Sequence, residues 1–309
     1  MTAAKHDLYE RFKRLVYERS DLHFSPRKRA FFERQLADRA AACGFGDLEA
    51  YFWHVHDNPD GLDGLLQCLT THQTSFFRNP AQFSALREVI LPELVAARNR
   101  EVMSSWGGAG EQPARPGRHP AMNIRIWSSG CSTGEEAYSI AFSLLDAIRY
   151  IRAWDVEVLG TDINRAVLAA ARAGVYDGSQ LPELARWGAD RHVEAGGGTF
   201  RVGEDTRRLV RFRESNLKGL TSSRPRRLEL RDEAGREEVM EAAGLFDMIF
   251  CRNVMIYFDR DGQQRLVDAL FDCLKPGGYL FTGDSEPLHL FSHGFERAGG
   301  GDALYYRKP

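Results

Sequence analysis

The sequence predicts an α/β fold: a mostly parallel sheet with helices on both faces, preceded by a small helical domain and interrupted by a short β insertion. Three observations lead there. From residue 123 onward, runs of strand-like apolar residues alternate with runs at helical spacing, the pattern of parallel strands joined by crossover helices. The first seventy residues carry apolar positions at helical spacing among many charges. The stretch between residues 173 and 246 breaks the alternation, with Gly196-Gly197-Gly198 set between two short strand-like runs.

In the helical part, Leu8, Phe12, Leu15 and Val16 define a first helix over residues 8–20, and Phe31, Phe32 and Leu36 a second over 30–41. Ser25-Pro26 is a helix start with proline at the first position, Cys43-Gly44 a stop, and a further helix runs through Leu48, Tyr51 and Phe52. Residues 104–121, with four Gly and three Pro, read as a linker. Strands are then expected at Asn123 to Ser129, Asp155 to Gly160, Leu209 to Phe212 and Phe246 to Cys251. Helices are expected at Glu135 to Tyr150, Asn164 to Ala173 and Gln263 to Leu274. A Pro-Gly-Gly turn at 276–278 leads into a further strand, and Ala303 to Arg307 supplies a last one. The polar, Arg-rich tract from Ser222 to Ala243 has no assigned conformation. Domain boundaries follow at 1–70 and 71–309, with a β subdomain inserted at about 175–213.

Composition excludes several classes. Hydrophobic residues are 43% and charged residues 27% of the 309, close to soluble globular averages, so wholesale disorder, a collagen-like polymer and a disulfide miniprotein are ruled out. The 41 Lys and Arg against 43 Asp and Glu leave a net charge of -2, with no general basic field for nucleic acid or an anionic membrane. No stretch approaches the roughly 20 apolar residues of a membrane helix and the opening residues carry charge throughout, so a cytoplasmic protein without membrane insertion is expected. Five cysteines with no C-x-x-C spacing argue for reduced thiols and no structural zinc. His54 and His56, two apart, do not share a helix face as metal ligands would.

The chemistry concentrates at strand ends. Trp127-Ser128-Ser129-Gly130-Cys131-Ser132-Thr133-Gly134-Glu135-Glu136 joins a strand to a helix through a loop with two glycines, the place where open α/β sheets bind ligands. It lacks the lysine of a phosphate loop, and two glutamates at the helix start would repel a pyrophosphate; a cofactor with a positive centre fits better. Asp162 ends the next strand, where a carboxylate accepts from ribose hydroxyls; the competing reading is a helix cap. Asn216 and the pair Arg252-Asn253 follow two further strands, so four strand ends converge with polar groups. Gly130 to Gly134 also matches the G-x-S-x-G nucleophile elbow, with Asp247 or Asp259 and His289 or His293 in the chain order of a serine hydrolase using Ser132. That reading leaves Asp162 and Thr74-Ser75-Phe76-Phe77-Arg78 without a role.

The segments TTHQTSFFRN (70–79), IWSSGCSTGEEAYSIA (126–141), LGTDINRAVLAAARAGVY (159–176), FDMIFCRNVMIYFD (246–259) and LKPGGYLFTGDSE (274–286) resemble the chemotaxis receptor methyltransferase family, CheR, in that family's order. The resemblance implies a Rossmann-like S-adenosylmethionine-dependent methyltransferase sheet, S-adenosylmethionine as cofactor with S-adenosylhomocysteine as product, and receptor glutamate carboxylates as methyl acceptors. It implies that His72, Thr74, Arg78, Gly130, Glu135, Asp162, Asn216, Leu217, Arg252 and Asn253 line the cofactor site, with His72 standing where the family usually has Asn. Arg78 and Tyr257 would be the catalytic pair beside the transferring methyl. It also implies partners: the cytoplasmic methylation helices of chemoreceptors or similar signalling proteins, facing Lys28, Arg34 and Arg39, and a receptor carboxyl-terminal peptide at the β subdomain. A cofactor-binding signalling scaffold without turnover is the alternative within the same fold.

Overall fold

The computed structural model describes residues 3–70, 73–105, 121–222, 224–300 and 302–309; His72 and most of the expected linker, residues 106–120, lie outside the described residues. The chain opens with four helices, α1 (Ala3–Ser20), α2 (Arg29–Ala42), α3 (Leu48–Asp57) and α4 (Pro59–Leu69). Their apolar stripes, including Phe12, Val16, Phe32, Leu36, Tyr51 and Leu65, close on one another as a separate core. Ser25 does not cap α2: Pro26–Lys28 forms one 3-10 turn before α2 begins at Arg29. α2 stops where expected, with Gly44 left-handed at φ +82°. Asn58 caps α4 by accepting from the N–H groups of Asp60 and Gly61. Two further helices, α5 (Pro80–Ala85) and α6 (Leu91–Ser105), are joined by a π turn at Leu86–Ile90.

The remainder follows as β1 (Asn123–Ser129), α7 (Glu135–Ala147), β2 (Asp155–Asp162), α8 (Arg165–Ala173), β3 (Val175–Asp177), α9 (Leu181–Arg186), β4 (Val193–Gly196), β5 (Thr199–Val202) and α10 (Glu204–Arg207). Then come β6 (Val210–Glu214), α11 (Leu217–Ser222), β7 (Arg227–Arg231), β8 (Glu237–Glu241), β9 (Phe246–Cys251), α12 (Arg260–Cys273), β10 (Leu274–Thr282), β11 (Glu296–Arg297) and β12 (Tyr305–Arg307). Nine strands form one sheet in the order β11-β12-β10-β9-β1-β2-β6-β7-β8. β1, β2, β6, β9 and β10 pair in parallel, and the antiparallel pairs stand at both margins. β9 is buried at every residue, as a central parallel strand covered on both faces must be.

From β1 the chain adds β2 and β6 on one side and β9 and β10 on the other, so the carboxyl ends of β1 and β9 flank a topological switch point. The insertion forms its own three-stranded sheet, β3-β5-β4, through the glycine turn at 196–198. The Arg-rich tract takes one conformation after all: β7 and β8 form a hairpin that widens the main sheet, its inward residues Leu228 and Leu230 buried. None of the described helices is long and apolar enough to cross a membrane.

Candidate functional site

Four loops meet at the carboxyl edge of the sheet. After β1 the chain turns back onto β2: the N–H groups of Gly130 and Cys131 both donate to the Thr161 carbonyl, at 2.7 and 2.9 Å. Gly130 is left-handed (φ +73°), and a Cβ there would stand 2.4 Å from Val254 Cγ2, so a side chain would push the β1 and β9 loops apart. Asp162, at the end of β2, receives the Ser132 N–H at Oδ2 and the Asn164 N–H at Oδ1, both at 2.9 Å. It is not the helix cap of α8. That role falls to Asn164, which accepts from Ala166 and Val167. Asp162 instead ties the glycine loop to β2.

Between the two domains, Thr74-Ser75-Phe76-Phe77-Arg78-Asn79 is held by its aromatics. Phe76 and Phe77 are buried, Phe77 lies parallel to Trp187 at 4.7 Å, and the Phe77 N–H donates to Ser139 Oγ. With Phe77 and Asn79 both left-handed, the segment kinks and leaves Arg78 on the cleft, its guanidinium donating to the Gln73 carbonyl at 2.9 Å.

The cleft holds about 930 Å³, its open mouth included. Thr74, Arg78, Gly130, Asp162, Asn216 and Leu217 line it from one side of the chain order, and Arg252, Asn253 and Tyr257 from the loop after β9. Glu135 does not line it; Glu136 does. Consecutive helical residues point about 100° apart, and α7 turns Glu136 toward Arg252 (3.1 Å) and Ser128 Oγ (2.6 Å). Glu135 faces away, accepting from Thr133 Oγ1 at 2.6 Å, and burial raises its carboxyl above the usual carboxylate range.

Arg252 is the most constrained charge in the cleft. It is 5% exposed, pairs with Glu136, and donates to the Arg78 carbonyl at 2.6 Å and to Asn79 Oδ1 at 2.5 Å. Its buried Nε has no partner among the described residues, and burial lowers its pKa against the pull of Glu136. Cys131, on the same wall, is a poor nucleophile: burial pushes its thiol well above its ordinary value.

The fourth wall comes from the helical domain, which nothing in the sequence signalled. Ser20, the last residue of α1, and Leu22, on the connector after it, line the cleft. The connector spans it from side to side: Asn216 donates to the Arg19 carbonyl at 2.9 Å, while the His23 N–H donates to the Tyr257 carbonyl at 2.7 Å and Leu22 bridges Phe258. Asp21, left-handed and buried, anchors the span to Lys218 at 3.6 Å and Arg265 at 3.2 Å.

Ser132 has the positive φ of a nucleophile elbow (+49°), but no histidine is among the described residues lining the cleft, and neither His289 nor His293 reaches it. Among the described residues a serine hydrolase has no base there. Among the described residues no cluster of His, Cys, Asp and Glu could hold a metal.

The CheR methyltransferase SAM-binding domain family matches residues 111–230 and 237–301, and the CheR methyltransferase all-alpha domain family matches 7–70. The interruption at 231–236 falls at the turn of the β7–β8 hairpin. The chain is 31% identical over 94% of its length to a chemotaxis protein methyltransferase of Klebsiella aerogenes, spanning 87% of that protein. It is 32% identical over 90% of its length to the chemotaxis protein methyltransferase of Salmonella typhimurium, spanning 83% of it. To chemotaxis protein methyltransferase 2 of Vibrio cholerae the figures are 28%, 97% and 92%. With family matches to both its helical and its sheet domain, the second of them S-adenosylmethionine-binding, the chain belongs to the CheR methyltransferase family.

Proposed function

We propose that the chain transfers methyl groups from S-adenosylmethionine to glutamate side-chain carboxylates of chemoreceptor-type signalling proteins, giving glutamate methyl esters. One observation carries this reading: Asp162, Asn216, Arg78 and Arg252 converge with the Tyr257 ring on one cleft at the sheet's switch point, in a chain whose family binds S-adenosylmethionine.

The residues present fit that cofactor. It is a zwitterion carrying a ribose, and the cleft offers charges of both signs, a buried guanidinium N–H at Arg252 without a protein partner among the described residues, and a carboxylate held rigid at the end of β2. Asp162 would accept from ribose hydroxyls. Gly130 keeps the first loop low enough for close approach, and Thr74, Asn216, Leu217 and Asn253 complete the enclosure. Arg78 and Arg252 supply positive charge for carboxylates. Once bound, the cofactor supplies an electrophilic methyl group on a positively charged sulfur.

The acceptor needs no general base. A glutamate carboxylate, with an ordinary pKa of about 4.3, is already ionised at neutral pH, which suits a cleft with no histidine among its described lining. What the chain must provide is alignment and exclusion of water. Tyr257 and Arg78 are the groups suited to hold the acceptor, and the end of α1 with its connector, through Ser20 and Leu22, keeps solvent out. Lys28, whose ammonium lies 5.3 Å from the centre of the Tyr257 ring, puts positive charge at the same place, favourable to an acidic segment. Receptor methylation helices are the partners this chemistry suits, with a receptor carboxyl-terminal peptide adding a strand to the β3-β5-β4 sheet as a second contact.

The test is incubation of receptor cytoplasmic domains with methyl-labelled cofactor, followed by mass spectrometry of peptides. Label on glutamate that is released by mild alkali supports an ester. Tight binding of S-adenosylhomocysteine without transfer to any receptor domain would favour a scaffold.

A further inference from the structure

The loop after β9 carries Arg252, Asn253, Val254 and Tyr257 into the cleft, yet little regular structure holds it. Asn253 is left-handed at φ +59°, a region asparagine enters more readily than most side chains. After it comes a single 3-10 turn, Met255–Tyr257. A side chain from another element holds the two together. Glu286 follows β10 and is 4% exposed. Its Oε2 accepts the N–H of Asn253 at 2.6 Å and of Gly283 at 3.0 Å, and its Oε1 accepts the N–H of Ile256 at 3.2 Å.

The neighbouring glycine is part of the same device. A Cβ at Gly283 would stand 2.6 Å from Glu286 Oε2 and 3.0 Å from the Asn253 nitrogen, so the carboxylate reaches the loop only because residue 283 has no side chain. The turn also closes on itself, with the Glu286 N–H donating to the Gly283 carbonyl at 2.9 Å. Among the described residues no lysine or arginine forms an ion pair with Glu286. A buried carboxylate without a cation is a poor choice for stability alone, since an apolar side chain of similar volume would fill the space without the desolvation cost. What the carboxylate provides, and an apolar residue cannot, is two acceptor atoms at fixed separation for the N–H groups of Asn253 and Ile256 in one loop.

We propose that Glu286 is a positioning residue for methyl transfer: its carboxylate sets the loop of residues 252–257 so that Asn253 and Tyr257 face the cleft together. The proposal rests on the reading of this cleft as a methyl-transfer site. Asn253, beside Oε2, is fixed on the cofactor side, and the turn ending in Tyr257 hangs from Oε1.

Glu286→Gln separates the two. The amide keeps its oxygen best at the Oε2 position, where two N–H groups point, and then sets its NH2 against the Ile256 N–H. The turn bearing Tyr257 loosens while Asn253 stays. Single-turnover methyl transfer to a receptor cytoplasmic domain is expected to fall about tenfold or more, with calorimetric affinity for S-adenosylhomocysteine within about threefold of wild type. Glu286→Asp keeps both acceptors on a shorter stem and should recover part of the lost rate. Gly283→Ala, which crowds Oε2 from outside the cleft, should also lower the transfer rate. Urea unfolding of each variant establishes that it is folded, and the Asp and Ala variants carry the test if Glu286→Gln is not.

Folded variants with wild-type transfer rates overturn the proposal. So does a loss of affinity equal to the loss of rate, which would make Glu286 a support of the cofactor cleft as a whole. Wild-type protein that binds S-adenosylhomocysteine and methylates nothing overturns the methyl-transfer reading and this role with it, and is told apart because the variants then have no rate to lose.

Discussion

Asp162 ties the glycine loop to β2, and under the function proposed above the same carboxylate also binds the cofactor ribose; replacing it should separate the two roles. Its oxygens each receive a backbone N–H at 2.9 Å, from Ser132 and from Asn164, and a carboxylate has about four acceptor sites, enough to serve these donors and a ribose diol together. Asp162→Ala removes every bond at once. On the cofactor side, hydrogen bonds to a charged group are worth about 1.5–3 kcal/mol, so the dissociation constant for S-adenosylhomocysteine should rise about tenfold to a hundredfold. On the folding side, two buried N–H groups lose their acceptor at about 1–3 kcal/mol each, and because the residue borders an open cleft, water should hold the total near the lower end. Asp162→Asn keeps one oxygen and turns an amide N–H toward one of the two donors, so its affinity should fall as well, with a smaller loss of stability. Isothermal calorimetry gives the first quantity and urea unfolding without ligand the second. A folded, destabilised Asp162→Ala that binds S-adenosylhomocysteine as tightly as wild type would refute the cofactor role and leave the carboxylate as a tie between β2 and the glycine loop.

Tyr257→Phe, which keeps the ring and removes the hydroxyl, should lower single-turnover transfer about tenfold or more with little change in cofactor affinity; Arg78→Ala should lower transfer further, and also weaken calorimetric binding if it grips the cofactor carboxylate. Tyr176, from the inserted subdomain, donates to the Thr133 carbonyl at 2.6 Å and is buried, so Tyr176→Phe should cost about 1–3 kcal/mol of stability in urea unfolding and weaken cofactor binding through the loop it braces. Asp146, on α7, joins Arg191 and His192 of the inserted subdomain and Arg87 of the π turn between α5 and α6. Burial raises its pKa, but the bonds from His192 and Arg191 outweigh burial and hold it below its ordinary 3.8. A depressed carboxyl stabilises above the unfolded value and loses that contribution as pH falls through the folded one. The stability gap between wild type and Asp146→Asn should therefore be present at about pH 5 and close only below about 3.8, as measured by urea unfolding at each pH.

How much of this was legible in the sequence differs from residue to residue for physical reasons. The strands and crossover helices of the sheet announce themselves because burial on both faces demands unbroken apolar runs such as FDMIFC, and the glycine loop after β1 because a close turn demands residues without side chains. Glu135 and Glu136 look alike in sequence, and the choice between them depends on the rotational phase of α7, which is fixed by what the helix packs on. The β7–β8 hairpin was hidden because its inward residues, Leu228 and Leu230, alternate with charges inside an Arg-rich tract, and only the main sheet beside them makes that alternation count. Glu286 gives no local sign of its role, since its partners Asn253 and Ile256 are thirty or more residues away. The same holds for the connector after α1, whose bonds to Asn216 and Tyr257 cross most of the chain.

Under the function proposed above, the cofactor becomes a shared ligand of the helical part and the sheet. A molecule filling the cleft would rest against the sheet loops below and against Ser20 and Leu22 above, so its binding energy would also hold the helical domain in place. Linkage then runs both ways: whatever loosens the docking of α1, such as loss of the Asp21 anchors to Lys218 and Arg265, lowers cofactor affinity by the same factor by which an empty cleft weakens docking. Heating the empty protein should let the helical bundle and the sheet melt apart, whereas with S-adenosylhomocysteine in excess the two should melt later and as one cooperative unit.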